Sequence, residues 1–577
     1  MWARLNYLFE KPVYKIVVVS MLMFACDSSM PVQDNPEFTP FILSVDELKN
    51  WTSTGSTADD RNIATIPLAT RFTEGATQLN PDLGNDAKLI YAPDGMNNLG
   101  NYLEEQSKFN LFNFTHWAYI DKLIWFGGTA DETVQIPAAP WVNAAHKNGV
   151  KVIGNVFFAP TAFGGNTATV SNFLQKDDQG KFVAAQKLKA IVEYYQFDGW
   201  FINMETDTNA TNGQLMLDFV KELKSILPED KEVIWYDAML PEGDVKWQNE
   251  LNNNNIKFLQ DNSMIVSDGM FINFFWSGSS KPFNSKSTAT NNGRSEFDVF
   301  TGIDLWPGRN QQVFELGGNE WMASLHEADR PITSVAFFAA NLLFDHDNYS
   351  TFKTNEDEVG DFYSAERHLF GGQDRNPATE DAGGFKGIAN WIPASSVITS
   401  LPFITNFNTG HGKIFATEGA QSARSWHDMG KQDILPTWQF AREGNSDLVT
   451  DFDFTTAYNG GTSLKVTGDL TDSGETTFKL YKTSLRISAQ TKIAITYKTD
   501  QVNDEHMKLV VAFSDNPADL ITLAIAPNPD NNWHRKTLDL GPYNGKELAI
   551  IGLQFSTTTT INNYQVNIGQ LAITDDS

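Results

Sequence analysis

Six apolar stretches set the strongest limit on what this chain can fold into. They are "YIDKLIWF" (119–126), "VKVIGNVFF" (150–158), "FDGWFINM" (197–204), "EVIWYDAM" (232–239), "GMFINFFW" (269–276) and "VFTGIDLW" (299–306). They recur about every 30–45 residues, the period of a β-strand followed by a helix. Each is nearly continuously apolar, so both faces are buried, as in a parallel sheet. Amphipathic segments lie between the early ones, for example 137–149 and 211–227, the latter opening after polar capping residues and stopping before Pro228. A (β/α)8 barrel fits this spacing over 45–392, and a doubly wound open sheet carries the same local pattern.

After about residue 393 the texture changes. Segments such as "TSLKVTG", "TTFKLYK", "KIAITYK", "KLVVAFS" and "LAIIGLQF" alternate apolar and polar residues between turn-rich spacers. That pattern predicts an antiparallel β-sandwich, jelly-roll-like, over 393–577. With 577 residues the chain is too long for one core, in keeping with two domains.

In a β/α barrel the chemistry sits at the C-terminal ends of the strands. Read at those ends, the sequence offers Trp125, Phe157, Asn203 with Glu205, Tyr236 with Asp237, Phe275 with Trp276, and Asp304 with Trp306. Aromatic rings around a few polar groups suit a cleft that stacks on sugar rings, although core packing explains any single ring equally well.

The stretch 197–207, "FDGWFINMETD", is the most informative. Strand alternation puts Gly199, Phe201, Asn203 and Glu205 on one face and Trp200, Ile202 and Met204 on the other. Asn203 and Glu205 therefore project the same way, about 6–7 Å apart along the strand. A carboxyl ending an apolar strand can serve as a general acid. A retaining glycosidase ordinarily needs a second carboxylate as nucleophile, and an amide is a poor one. A substrate carrying a 2-acetamido group removes that need, because its own acetamido oxygen can attack the anomeric carbon to give an oxazoline. Asn203 would then orient the acetamide.

Composition excludes other classes. With 43 basic and 71 acidic residues the net charge is −28, and no basic stripe offsets it, so nucleic acid and anionic membrane surfaces are poor partners. Neither paired His ligand spacing nor a phosphate-cradling glycine loop is visible, so no metal or other cofactor is expected; His146 reads as structural. The single cysteine, Cys26, follows the apolar run "IVVVSMLMFA", with Lys11 and Lys15 ahead of it. This resembles a lipoprotein signal over 1–26, with 27–44 as a tether. The expectation is an exported, monomeric protein that meets a membrane only through a lipid anchor at Cys26.

"FDGWFINMETD" resembles the Asn-x-Glu signature of the glycoside hydrolase family 85 endo-β-N-acetylglucosaminidases. "YIDKLIWFGG", "IPAAPWVNAAHKNGVKVIGNVFF", "VIWYDAMLPEGDVKWQNELN", "FDVFTGIDLW", "LPFITNFNTGHG" and "KQDILPTW" are similar to that family too, in its order, over about residues 60–470. The resemblance implies a (β/α)8 barrel followed by β-sandwich modules. The implied activity is retaining, substrate-assisted cleavage between the two GlcNAc residues of the N-glycan core, with a capacity for transglycosylation. It implies Glu205 as acid/base, Asn203 as the acetamide-positioning group and Tyr236 as a supporting tyrosine. Trp125, Phe157, Trp247, Phe275 and Trp276 become sugar-contacting rings, and Asp304 a hydroxyl-binding carboxylate. Residues 334–346 depart from the pattern where a Gly-Trp and a glutamate are expected. The sandwich is either a carbohydrate-binding-like module or a structural lid.

Three alternatives stay open. A family 18 chitinase-like enzyme shares Asp198, Gly199 and Glu205, but Phe201 and Asn203 stand in place of its two acids. A two-carboxylate glycosidase would pair Glu205 with Asp237. A surface glycan-binding protein would use the barrel without catalysis.

Overall fold

The structure, a computed structural model, describes residues 41–306, 322–327, 330–341, 359–381, 384–444, 447–472, 474–500, 506–525 and 528–575. Cys26 and the expected signal and most of the tether lie outside the described residues.

Eight parallel strands close on themselves: β1 Leu89–Ala92, β2 Lys122–Ile124, β3 Lys151–Phe158, β4 Gly199–Met204, β5 Glu232–Tyr236, β6 Gly269–Ile272, β7 Val299–Asp304 and β8 Ser334–Phe338. Each pairs with its successor, and β8 returns to β1 through Val335 opposite Leu89. The barrel interior is filled by one or more side chains from every strand: Ile90, Ile124, Ile153, Phe201, Ile234, Phe271, Phe300 and Ala336. This is a packed core and not a pore. The outward-facing set of β4, Trp200, Ile202 and Met204, joins the larger core beneath the helices. There the Trp200 indole N–H donates to Leu188 O at 3.1 Å.

Six of these strands follow the anticipated segments. β1 has only four residues, too short to announce itself. β8 falls in the stretch that departs from the family pattern, yet its first four residues are buried and it supplies the strand that closes the barrel.

The helices follow their local chemistry. Ala210–Ile226 is capped by Asn209, whose side chain accepts from Asn212 N, and it stops ahead of Pro228. Ala139–Lys147 has no cap of its own. Asn62 Oδ1 reaches across the chain to accept from Ala139 N at 2.7 Å.

Beyond the helix Val359–Gly371, two antiparallel sheets form a sandwich. One contains Val449–Asp453, Ser463–Leu470, Ile561–Asp575, Thr491–Lys498 and His534–Asp539, with Phe403–Thr405 added on Ile561–Asp575. The other contains Ala441–Gly444, Glu475–Arg486, Glu547–Ser556, Met507–Phe513 and Asn516–Ala524. A buried polar contact joins this layer to the barrel, where Gln439 Nε2 donates to Thr115 O at 2.9 Å, and His116 Nδ1 lies 2.8 Å from Glu366 Oε1 on the helix Val359–Gly371.

Candidate active site

The strand ends of this barrel differ from one another in a way that parity explains. Along β4, Phe201 points into the barrel and Asn203, 3% exposed, sits above it at the mouth. Glu205 follows, half-buried, its backbone N–H held by Phe158 O at 3.0 Å. Asn203, Glu205 and Tyr236 line one cavity of about 270 Å³, whose other walls are mainly phenylalanine: Phe126, Phe157, Phe163, Phe274 and Phe338. Among the described residues lining it, Glu205 is the only carboxyl group.

Two polar features stand out in this apolar setting. Asn203 Oδ1 is buried and has no hydrogen-bond partner among the described residues. A buried amide oxygen without a partner is costly, by about 1–3 kcal/mol, and this one belongs to a residue lining a cavity that a donor can enter. The Glu205 carboxylate, by contrast, accepts from the Trp247 indole N–H at 3.2 Å. Trp247 is 42% exposed, so a large ring stands at the edge of the cavity with its polar end on the acid.

Tyr236 donates its hydroxyl hydrogen to Asn273 Oδ1 at 2.7 Å. Burial first, then the charges of Glu205, Asp237 and Asp304, hold its hydroxyl far above the usual tyrosine range. It is therefore neutral and a hydrogen-bond donor across the working pH range. Asp304 is buried and accepts from Trp306 N at 3.0 Å.

Asp237 does not face the cavity. Its oxygens accept from Gln248 N at 3.3 Å, Asn249 N at 2.7 Å and Asn255 Nδ2 at 2.9 Å, all on the loop that follows β5. A second catalytic carboxylate would have to point at the sugar, and this one is committed to its own loop.

Two of the sequence-derived rings are elsewhere. Trp125 is fully buried on the outside of the barrel wall, 6.2 Å from Trp141 in an edge-to-face contact. Ile124 fills the barrel interior, so the next residue turns outward, and Phe126 reaches the cavity instead. Trp276 is 1% exposed and donates to Gly302 O at 2.6 Å, packing against β7, whereas Phe274 lines the cavity. Phe275 is 65% exposed and stands at the rim without lining the cavity. Phe126, Phe163, Phe274, Phe338 and Asn273 were missed by sequence reasoning. The runs "WF" and "NFFW" contained the signal, but only the exact end of each strand says which ring turns in.

At the opposite end of the barrel, Asp198 Oδ2 accepts from Val152 N at 2.8 Å and lies 2.7 Å from His146 Nε2. His146 Nδ1 is 2.8 Å from Ile66 O, so both ring nitrogens are occupied by structure. Among the described residues no group of three His, Cys, Asp or Glu side chains could hold a metal ion.

Comparison with known proteins places these observations in a family. The sequence pattern described as Glycosyl hydrolase family 85 matches residues 96–415. The cytosolic endo-beta-N-acetylglucosaminidase of Gallus gallus is 28% identical over 441 residues, 74% of this chain and 52% of that protein. The cytosolic endo-beta-N-acetylglucosaminidase of Homo sapiens is 26% identical over 489 residues, 82% of this chain and 58% of that protein. The chain thus spans somewhat over half the length of these curated relatives. The crystal structure of the glycoside hydrolase domain of Endo-D from Streptococcus pneumoniae R6 superposes with a TM-score of 0.78 at 28% identity, over 94% of this chain and 84% of that one. One expectation is overturned: the curated relatives are named as cytosolic proteins, which contradicts export and a lipid anchor at Cys26. The expectation rested on a short local pattern, an apolar run of signal-peptide length before a single cysteine.

Proposed function

The chain belongs to glycosyl hydrolase family 85, and from that premise we propose that it is an endo-β-N-acetylglucosaminidase, cleaving the β-1,4 bond between the two GlcNAc residues of the N-glycan core. Its partners are then N-linked glycans on glycoproteins or glycopeptides.

The observation that carries this reading is the buried Asn203 Oδ1 without a partner, beside a single carboxyl in an aromatic cavity. Asn203 Oδ1 accepts the N–H of the substrate's 2-acetamido group and so turns the acetamido oxygen toward the anomeric carbon. That oxygen forms a bond to the anomeric carbon as the glycosidic C–O bond breaks. Glu205 gives its proton to the departing GlcNAc oxygen. The protonated oxazoline, its N–H still held by Asn203, is opened by water, whose oxygen bonds the anomeric carbon as the acetamido oxygen leaves it and whose proton returns to Glu205. The two displacements invert twice and leave the configuration retained. An acceptor hydroxyl in place of that water gives transglycosylation.

Tyr236, neutral and held in place by giving its hydroxyl hydrogen to Asn273, supports the acetamide. Phe157 and the exposed rings Trp247 and Phe275 offer faces for sugar stacking, and Asp304 a carboxylate for a sugar hydroxyl. The test is product mass. A denatured high-mannose glycoprotein treated with the protein should keep one GlcNAc at each site. An unchanged mass would favour a glycan-binding protein instead.

A further inference from the structure

Asp237 raises a problem. It is 1% exposed at the end of β5, and no cation faces it among the described ion pairs. A buried carboxylate without a cation is expensive. Burial pushes Asp237 up to about 6, against the hydrogen bonds that lower it.

Its partners suggest what it does. Three of its donors, Gln248 N, Asn249 N and Asn255 Nδ2, belong to the loop that follows β5, and the backbone of Asn273 beyond β6 also favours its charged form. Asn249 sits in the left-handed region, with φ +59°. That turn directs its side chain toward the next strand end, where Asn249 Oδ1 accepts from Asn273 Nδ2 at 2.8 Å and from Phe275 N at 3.0 Å. Asn249 Nδ2 donates back to Trp247 O at 3.1 Å. Asn273 in turn holds the Tyr236 hydroxyl, and Trp247 reaches Glu205. One hydrogen-bonded truss thus ties the ends of β4, β5 and β6 together, and its free ends are the two exposed rings.

We propose that Asp237, acting through Asn249, is a positioning residue that fixes the β5 loop so that Trp247 stands on Glu205 and Phe275 stands at the rim. The proposal rests on the endoglycosidase reading above. It explains why an acid remains at a buried position from which it cannot reach the sugar. Asn could not replace it silently, because its NH2 group would meet one of the loop's N–H donors.

The test is a double-mutant cycle on purified full-length protein, with kcat and KM measured on a high-mannose glycopeptide. Asp237→Asn should lower kcat/KM by about tenfold or more, and Trp247→Phe by a comparable factor. In the Trp247→Phe background, Asp237→Asn should cost less than about threefold, because the contact it positions is already gone. A second arm guards against a variant that does not fold. Asn249→Gly tolerates the left-handed backbone and removes the amide truss. It should lower kcat/KM about three- to tenfold with an unchanged unfolding midpoint, again non-additively with Trp247→Phe. Additive losses in the cycles, with an active wild type, overturn the positioning role alone. A wild type inactive on the glycopeptide overturns the endoglycosidase reading and this proposal together.

Discussion

The indole N–H of Trp247 points at Glu205 Oε1, 3.2 Å away, from a loop that begins on the neighbouring strand. A half-exposed ring and the carboxyl proposed as the acid are thereby one unit. Trp247→Phe keeps the stacking face and removes only the donor. A hydrogen bond to a charged group contributes about 1.5–3 kcal/mol, so kcat should fall roughly ten- to a hundredfold. KM on a glycopeptide should change little, because the ring still stacks. A KM that rises while kcat holds would make Trp247 a binding residue and nothing more.

Glu205→Gln leaves an oxygen for that same indole and removes the transferable proton. Loss of general acid catalysis costs about 10²–10⁴ in rate. Hydrolysis of natural glycans should fall by that factor with the unfolding midpoint preserved. Near-normal turnover would take the acid role away from Glu205.

Asn203→Ala separates the two halves of the mechanism. The variant has lost the group that orients the acetamide, so it should fail on intact glycans by about a hundredfold or more. A preformed sugar oxazoline needs no such orientation, and its transfer should persist. Equal loss with both donors would count against the acetamide role.

Stability should fall on mild acidification, for reasons outside the active site. His411 and His427 face each other across the hairpin His411–Thr417/Ala420–His427. Burial holds His411 down to about 3 and His427 well below its ordinary value, the latter also through His411. Both His427 ring nitrogens are buried and lack a partner among the described residues. The folded protein thus binds fewer protons than the unfolded chain once pH drops below about 6.5. The stabilising contribution is fully present above that pH and is lost as pH falls toward 3, by up to about 1.4 kcal/mol per pH unit per histidine. His427→Phe should flatten the decline, measured as the unfolding midpoint from pH 7 to 4. An unchanged slope would mean that these rings are not the proton sinks.

Much of the architecture was legible because burial on two faces leaves a simple mark. Segments such as 150–158 and 269–276 are long apolar runs, and the sandwich segments alternate cleanly. β1 escaped because four residues carry no period; β8, Ser334 to Phe338, is as apolar as its neighbours but lies in the stretch that departs from the family pattern, and it was not set out as a strand. In the site, Asn203 and Glu205 followed from parity on a strand whose end was clear. Trp125 was misplaced because the register of β2 was not fixed: Ile124 faces inward, so alternation carries Phe126 to the cavity and Trp125 outward. Trp276 was misplaced because β6 ends at Ile272, and beyond that point the turn decides which ring faces inward. The truss from Asp237 to Asn249 and Asn273 joins three loops. No periodicity reports a contact of that kind.

The stretch "FDGWFINMETD" carries Asp198 at its second position and Glu205 near its end, and these two acids have opposite duties. Asp198 lies at the base of β4, where it accepts from Val152 N at 2.8 Å, pairs with His146 at 2.7 Å and has Lys231 Nζ at 3.5 Å. It is 2% exposed. Asp198→Ala would strand a buried N–H, a histidine and an ammonium at once. Breaking a buried pair by removing one partner costs about 3–5 kcal/mol, so the unfolding midpoint should drop by several degrees. The distance from the mouth means that the protein still folded should retain most of its kcat. Glu205→Gln should do the reverse, with stability kept and turnover lost. If Asp198→Ala instead abolished turnover in a protein that still unfolds at the wild-type temperature, the division between a structural acid at the base and a chemical acid at the mouth would be wrong.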